Sequence, residues 1–209
     1  EYGELIDLNR LGAITVKGVS EEAWKGNLVP RVAETQDGLL NSIGLQNAGA
    51  KHFIENDIPF LRQYDTNIIV NICGHTLAQY CSVAEKFADC DIDLLELNIS
   101  CPNVEEGGLS FGTDPHIVER IVGAVRHYAK QPLIVKLSPE VSDITEIAKA
   151  AVSGGADAIS LINTLRGMKI DIHKRKPVLA NRIGGYSGPG IMPVALRMVY
   201  EVCHSVDVP

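Results

Sequence analysis

The chain has 209 residues, 45% of them hydrophobic, a formal net charge of -7 at pH 7 and a pI near 5.4. This size and apolar content suit one well-cored domain, and an acidic chain without clustered Lys and Arg is a poor nucleic-acid binder. No apolar run approaches the roughly 20 residues of a membrane span, and residues 1–10 lack the features of a signal peptide. We therefore expect neither a nucleic-acid nor a membrane partner.

Apolar, β-branched runs alternate along the chain with segments of helical periodicity. The first helical segment, 76–89, places Leu77, Tyr80, Cys81 and Ala84 on one face. Such alternation predicts a parallel sheet built from βαβ units, either doubly wound or a (β/α)8 barrel. The predicted strands are 13–18, 67–73, 94–100, 132–138 and 157–163, and the predicted helices are 76–89, 115–130 and 143–155.

Capping signals mark the ends of two helices. Asp114 followed by Pro115 is typical of an N-cap and the first helical position, and Asp143 has a similar place before the next helix. Gly154 and the glycine after it predict where that helix ends.

The last residues repeat a pattern seen earlier in the chain. "RHYAKQPLIVKLS" runs from a helix through Gln-Pro into a strand, and "YEVCHSVDVP" follows the same design as far as Pro209. We therefore expect the chain to stop just before a strand. A complete barrel needs about 250 residues, so a single domain spanning 1–209 fits a barrel truncated before its last two strands.

Each predicted strand has a polar residue near its C-terminal end. Taken singly, each lysine could be a snorkelling edge residue and each asparagine a turn former. Together they indicate one polar site where barrels and open α/β sheets carry their active sites, suited to a flat, anionic ligand rich in heteroatoms. These residues are Lys17, Asn71, Asn98, Lys136 and Asn163.

Two glycine-rich stretches are predicted to be loops beside this site. The segment 39–49 is polar enough to wrap a ligand, although an ordinary capping loop is an equal alternative. The segment 184–190 has four glycines and permits close backbone approach to a phosphate or a ring. Neither matches a Walker or Rossmann motif.

The five cysteines do not have the spacing of a disulfide framework or a zinc site. Their number is odd, no pair is CxxC, and the six histidines form no HxxxH pair. We expect reduced thiols in a cytoplasmic protein and no metal site. Cys101 alone follows a strand end and precedes a proline, in a loop with glycines.

Several of these stretches resemble a known family. "ELNISCPNV" is similar to the loop of the class 1 dihydroorotate dehydrogenases, and "NSIGLQN", "VKLSPEVSDI", "INTLRGMKID" and "RKPVLANRIGGYSGPG" look like its type B subgroup. The resemblance covers the chain from about Leu11 to Pro209. It implies a (β/α)8 TIM barrel, incomplete in this chain, with flavin mononucleotide (FMN) at the C-terminal face.

The resemblance also implies roles for individual residues. Cys101 matches the catalytic base, which would take a proton from C5 of dihydroorotate. The residues that match flavin contacts are Lys17, Gly18, Asn71, Asn98, Lys136, Ile162 and Gly188. The residues that match substrate contacts are Lys17, Asn41, Ser42, Ile43, Gly44, Leu45, Asn98, Asn103, Asn163 and Thr164.

The implied activity is the oxidation of dihydroorotate to orotate in de novo pyrimidine (UMP) biosynthesis. Type B enzymes pair with a subunit that carries FAD and an iron–sulfur cluster and uses NAD, so we expect a homodimer joined to such a subunit. This chain lacks the four-cysteine spacing of a cluster. The alternatives are a flavin domain like that of dihydropyrimidine dehydrogenases and a non-catalytic, truncated fragment. Against the first, Asn103-Val104 stands where that family tends to have His-Gly.

Overall fold

The computed structural model describes residues 2–100 and 111–209. The strands are β1 (Ala13–Thr15), β2 (Val32–Thr35), β3 (Gly38–Asn41), β4 (Asn67–Ile72), β5 (Leu94–Asn98), β6 (Leu133–Lys136), β7 (Ala158–Ser160), β8 (Leu165–Gly167), β9 (Ile170–Asp171), β10 (Lys176–Pro177) and β11 (Gly184–Ser187). The helices are α1 (Tyr2–Leu5), α2 (Ala50–His52), α3 (Ile58–Leu61), α4 (Leu77–Phe87), α5 (Pro115–Tyr128), α6 (Ile144–Ser153) and α7 (Met192–Cys203). Among the described helices, none is long and apolar enough to cross a membrane.

The main sheet has five parallel strands in the order β1-β4-β5-β6-β7. It curls into a half-barrel, an incomplete (β/α)8 barrel, which confirms the predicted fold class. All five predicted strands and all three predicted helices are present, each one to four residues shorter than expected.

The core lies between this sheet and the helices that cover its outer face. Strands β4, β5 and β6 bury Val70, Leu95, Leu97 and Val135 completely, and Phe87 of α4 is equally buried. Full burial of each such side chain contributes about 1.5–3 kcal/mol. Helices α4, α5, α6 and α7 pack against one another in chain order, as expected when each crossover follows its strand.

The predicted capping residues of two helices are confirmed. The carboxylate of Asp114 accepts hydrogen bonds from the backbone N–H groups of His116 and Ile117, and Pro115 opens α5. Asp143 caps α6 in the same manner, and Gly154 is the residue at which α6 ends.

Two aspartates brace the N-terminal edge of the sheet in the same way. Asp93, just before β5, accepts a hydrogen bond from the N–H of Ile68 in β4 and forms an ion pair with Arg62. Asp157, just before β7, accepts from Leu133 at the start of β6 and from Arg126. Each aspartate therefore links the start of its own strand to the neighbouring strand that precedes it in the chain, at the end of the sheet opposite to the predicted site.

The chain after α7 returns to the edge of the parallel sheet. The carbonyl of Pro209 accepts a hydrogen bond from the N–H of Ile159 in β7, 2.8 Å away. The carbonyl of Pro132 makes the equivalent contact with Leu95 at the start of the β5–β6 pairing, at 3.0 Å. Residues after α7 thus begin to pair with the edge of the parallel sheet.

A second sheet lies outside the barrel pattern and corrects two predictions. Strands β2, β3, β11 and β8 form an antiparallel sheet in that order. The segments 39–49 and 184–190 were predicted as loops, but their first residues lie in β3 and β11, and Asn41 pairs with Gly185. The prediction was wrong there because residues far apart in sequence supply the backbone partners that glycine-rich segments lack locally.

Candidate active site at the C-terminal strand ends

The polar residues predicted at the strand ends surround one cavity of about 820 Å³. It opens at the C-terminal edge of the parallel sheet, partly beneath the antiparallel sheet. The predicted residues that line it are Lys17, Gly18, Asn41, Leu45, Asn71, Asn98, Lys136, Asn163 and Thr164. The lining also includes residues that the sequence analysis did not select, among them Glu96, Ser100, Ser138, Glu140, Arg166 and Gly185.

Asn98, at the end of β5, is held in a defined orientation. Its side-chain oxygen accepts hydrogen bonds from the N–H of Ser100 at 3.2 Å and from Nδ2 of Asn163 at 3.3 Å. Nδ2 of Asn163 also donates to the Ser100 hydroxyl, and its own Oδ1 accepts from the N–H of Thr164. Because the oxygen of Asn98 is occupied, its Nδ2 is the group left to donate to a ligand.

Asn71, at the end of β4, uses its NH₂ group within the protein, whereas Asn98 uses its side-chain oxygen. Its Nδ2 donates to a carboxylate oxygen of Glu96 in β5. The other oxygen of Glu96 accepts from the hydroxyl of Ser160, at 2.8 Å. Only 5% of Glu96 and 6% of Asn71 is exposed, so this network forms the floor of the cavity.

Gly18 brings the backbone close to the floor of the cavity. A Cβ at this position would lie 3.1 Å from Oδ1 of Asn71 and 3.5 Å from Sγ of Cys73. The first distance is shorter than an ordinary van der Waals contact and the second is an ordinary one. Glycine therefore keeps the cavity open beside Asn71. Gly185 in β11 has a similar role, because a Cβ there would lie 2.8 Å from Cβ of Thr164.

The segment from Asn41 to Leu45 contributes both of its ends to the cavity. Asn41 ends β3, and Leu45 has a φ of 52°, a conformation uncommon for a residue with a side chain. Ser42, Ile43 and Gly44 connect the two without lining the cavity. The segment is fixed from outside, since the carbonyl of Ile43 accepts from the N–H of Asn27.

Two predicted flavin contacts lie elsewhere. Ile162 is half-buried and packs against the hydrophobic core, and Gly188 lies against Gly38 at the end of β11 remote from Gly185. Neither is among the residues that line the cavity. Cys101 and Asn103 lie outside the described residues.

Tyr80 of α4 anchors the chain on both sides of the segment 101–110. Its hydroxyl donates to the carbonyl of Asn98, 2.5 Å away, and its ring makes an edge-to-face contact with Phe111 at 5.5 Å. Tyr80 is fully buried. The position of the strand end that carries Asn98 is therefore fixed by a helix of the barrel wall.

Two thiols outside this cavity, those of Cys81 and Cys90, are poor candidates for proton transfer. Burial raises the pKa of the Cys81 thiol, and burial together with the neighbouring Asp89 raises the pKa of the Cys90 thiol. Both therefore remain protonated over a wider pH range than an ordinary cysteine. In the described ranges, no group of three or more His, Cys, Asp or Glu side chains is arranged to hold a metal ion.

A second cavity of about 570 Å³ lies beside the first and shares Lys17 with it. Its walls are mainly apolar and come from the N-terminal residues, β1 and the helical segment 50–61. It contains few of the polar groups that would orient a flavin or a carboxylate, so the first cavity is the better candidate for catalysis.

The whole chain, residues 1–209, matches the family model described as dihydroorotate dehydrogenase. The chain belongs to the dihydroorotate dehydrogenase family. Among its relatives, the catalytic subunit of dihydroorotate dehydrogenase B (NAD(+)) of Alkaliphilus metalliredigens is 68% identical over 209 residues, which are 100% of this chain and 69% of that protein. Proteins of the same name from Alkaliphilus oremlandii and Lachnoclostridium phytofermentans are 67% and 58% identical over the whole chain and cover 69% and 70% of those proteins.

Membership of the dihydroorotate dehydrogenase family agrees with the sequence resemblance and with the half-barrel. The family assignment also explains why so many strand-end polar groups lie around one cavity. Glu96 and Ser160 were not predicted as site residues because each lies in a strand that is otherwise mainly apolar. For Glu96 the sequence signal is its two-residue spacing from Asn98, which places both side chains on the same face of β5.

Proposed function

We propose that this chain oxidises dihydroorotate to orotate in de novo pyrimidine (UMP) biosynthesis, with FMN bound in the cavity at the strand ends. The observation that carries the proposal is the convergence of Lys17, Asn98 and Lys136 on one cavity. This occurs in a chain that matches the dihydroorotate dehydrogenase family model along its entire length.

The cavity has the properties that FMN requires. Its volume of about 820 Å³ lies within the range of sites for molecules of this size. Gly18 lets a flat ring approach the backbone, two lysines offer positive charge, and Asn71 and Asn98 offer an acceptor and a donor. We propose that these residues hold FMN, with Ile162 and Gly188 as further contacts on the basis of the family resemblance.

The reaction removes two hydrogens from adjacent carbons of dihydroorotate. Bound FMN supplies the acceptor for the hydride that leaves C6. Cys101, as thiolate, takes the proton from C5, and a thiol with an ordinary pKa near ~8.5 is a reasonable base at neutral pH. The C–H bonds at C5 and C6 break and a C5–C6 double bond forms, so the substrate loses two electrons and two protons in total.

The remaining polar residues bind and orient the substrate in this proposal. Asn98 donates through Nδ2, because its oxygen is already occupied. Lys17 provides positive charge for the substrate carboxylate and for the negative charge that develops during oxidation. The other proposed substrate contacts are Asn41, Ser42, Ile43, Gly44, Leu45, Asn103, Asn163 and Thr164.

We further propose that the chain forms a homodimer and joins a subunit with FAD and an iron–sulfur cluster that uses NAD. The relatives are named catalytic subunits of an NAD(+) enzyme, which supports a second subunit. Exposed apolar side chains around the antiparallel sheet support a protein contact there: Leu28, Val29, Val32, Ile170 and Ile172. A cytoplasmic location is part of the proposal, because no disulfide joins the described cysteines, Cys73, Cys81, Cys90 and Cys203.

The substrate is tested by anaerobic absorbance spectroscopy of the purified chain loaded with FMN. We expect dihydroorotate to bleach the visible flavin bands and orotate to accumulate in equal amount. Dihydrouracil, the substrate type of the dihydropyrimidine dehydrogenases, should leave the bands unchanged. Bleaching by dihydrouracil alone would replace the proposed substrate, and bleaching by neither would refute the proposed oxidation.

The role of Cys101 is tested by rapid-mixing measurements of flavin reduction. Cys101→Ala should slow reduction by dihydroorotate by about 10²–10⁴-fold while orotate still binds. Cys203→Ala is the matched control, because Cys203 is an exposed thiol at the end of α7. Near-normal reduction in Cys101→Ala would remove this residue from the role of base.

A further inference from the structure

Glu96 is a buried carboxylate that the proposed reaction leaves without a role. It lies in the middle of β5, is 5% exposed, and lines the floor of the cavity. Burying a carboxylate is costly unless hydrogen-bond donors satisfy its oxygens. Two such donors come from strands on either side, Nδ2 of Asn71 in β4 and the hydroxyl of Ser160 in β7.

The contact with Glu96 determines which end of the Asn71 amide faces the ligand. An ionised carboxylate can only accept hydrogen bonds, so it must be met by the NH₂ group of the amide. Oδ1 of Asn71 then points toward Gly18, where an added Cβ would approach it to 3.1 Å. Without Glu96, the Asn71 amide has no carboxylate to select between its two orientations.

The two asparagines of the cavity therefore present opposite groups. Asn98 presents Nδ2, because Ser100 and Asn163 occupy its oxygen, whereas Asn71 presents Oδ1. An acceptor and a donor fixed in this way match a ring edge that alternates N–H and C=O groups. The pyrimidine part of a flavin has such an edge, and so does orotate.

We propose that Glu96 is a positioning residue for the flavin: it holds Asn71 so that Oδ1 accepts a hydrogen bond from FMN. We assign this hydrogen bond to FMN and not to orotate because Asn71 lies against Gly18, and both residues are among the proposed FMN contacts. This inference rests on the proposed function and deepens it.

The test is a fluorescence titration of FMN against the full chain and its Glu96→Gln variant. Glutamine keeps the shape of the side chain but offers one acceptor and one donor group in place of two acceptors. The Ser160 hydroxyl can accept from the new NH₂ group, but Asn71 Nδ2 then donates to a neutral oxygen in place of a charged one, so the Asn71 amide is held less firmly. We expect the Kd for FMN to rise roughly 5- to 30-fold, the effect of replacing a charge-assisted hydrogen bond by a neutral one that positions Asn71 less well. The Kd for orotate, measured without FMN by calorimetry, should change less than about twofold.

A double-mutant cycle with Asn71→Leu separates positioning from a general effect on the fold. If Glu96 acts through Asn71, Glu96→Gln should not weaken FMN binding further in the Asn71→Leu background. Asp93→Asn is the matched control, a carboxylate-to-amide change at the opposite end of β4 and β5. It should lower the thermal midpoint and leave the Kd for FMN unchanged.

Several results would overturn the inference. One such result is that Glu96→Gln binds FMN as tightly as the unchanged chain. Another is that Glu96→Gln raises the Kd for FMN by the same factor in the unchanged chain and in the Asn71→Leu background. A loss confined to orotate would assign Glu96 to the substrate instead. If Glu96→Gln does not fold, Glu96→Asp replaces it in the test, because aspartate keeps the charge but moves the carboxylate away from Asn71 by one methylene. An unaltered FMN affinity in Glu96→Asp would also refute the proposal that Glu96 positions Asn71. An unchanged chain that fails to bind FMN refutes the proposed function itself, and this inference with it.

Discussion

Removing the hydroxyl of Tyr80 tests how the end of β5 is held in place. The hydroxyl donates to the carbonyl of Asn98 at 2.5 Å, inside a fully buried environment. Tyr80→Phe keeps the ring and its contact with Phe111 but leaves that carbonyl with one donor fewer. The change should cost about 1–3 kcal/mol of the free energy of unfolding.

For a chain of this length, a loss of 1 kcal/mol lowers the thermal midpoint by roughly 2–4 °C. We therefore expect Tyr80→Phe to lower the midpoint by about 2–12 °C in a circular-dichroism melt. The Kd for FMN should also rise, because the lost hydrogen bond holds the backbone of Asn98, a proposed FMN contact. Tyr128→Phe is the matched control, since Tyr128 lies at the surface end of α5 and the change should cost less than about 0.5 kcal/mol. A Tyr80→Phe midpoint equal to that of the control would refute the anchoring described for this residue.

Three further predictions concern capping, pH and charge. Asp114→Ala removes the N-cap of α5 and should cost about 0.5–2 kcal/mol in urea unfolding, whereas no loss would contradict the capping contacts. The hydrogen bond from Ser82, followed by that from Lys86, lowers the pKa of Glu21 below its ordinary value of 4.5. The stability that these contacts contribute is fully present above pH 4.5 and is lost as the pH falls through the lowered pKa. Glu21→Gln should therefore make the free energy of unfolding fall less steeply at acid pH, and an unchanged acid dependence would contradict a stabilising role for Glu21. Lys136→Met should raise the Kd for FMN roughly 10- to 100-fold in a fluorescence titration, and an unaltered Kd would exclude a flavin contact.

Local rules in the sequence were enough to predict the parallel half of the fold. Strands such as β4 and β5 are apolar on both faces, and the crossover helices carry their own N-caps, so each element is specified within its own segment. The convergence of Lys17, Asn98 and Lys136 followed from the same logic, because the C-terminal ends of parallel strands meet at one edge.

The antiparallel sheet could not be predicted by those rules. Strand β11 begins with Gly184 and Gly185, which have no strand propensity of their own, and it is stabilised by pairing with β3 and β8. These partners are far away in sequence, as the contact between Asn41 and Gly185 shows. Local patterns indicate a loop in such a case, and only the tertiary structure supplies the hydrogen-bond partners.

The hydrogen bonds at the floor of the cavity could not be predicted for a different physical reason. Glu96 lies within a strand whose neighbours are apolar, so its burial depends on donors from two other strands. Sequence spacing shows which face of β5 it occupies, but not that Asn71 and Ser160 point toward it. The orientation of each amide in the cavity is therefore information that only the three-dimensional arrangement contains.

FMN and orotate must share the cavity at the strand ends if the chain oxidises dihydroorotate as proposed. An absorbance titration of the purified chain with FMN, repeated after addition of orotate, measures this. We predict saturable binding of one FMN per chain and a shift of the visible flavin bands when orotate is added, because the two rings would lie in contact in the shared cavity. Absence of saturable FMN binding, or flavin bands that orotate leaves unchanged although it binds, would contradict the account.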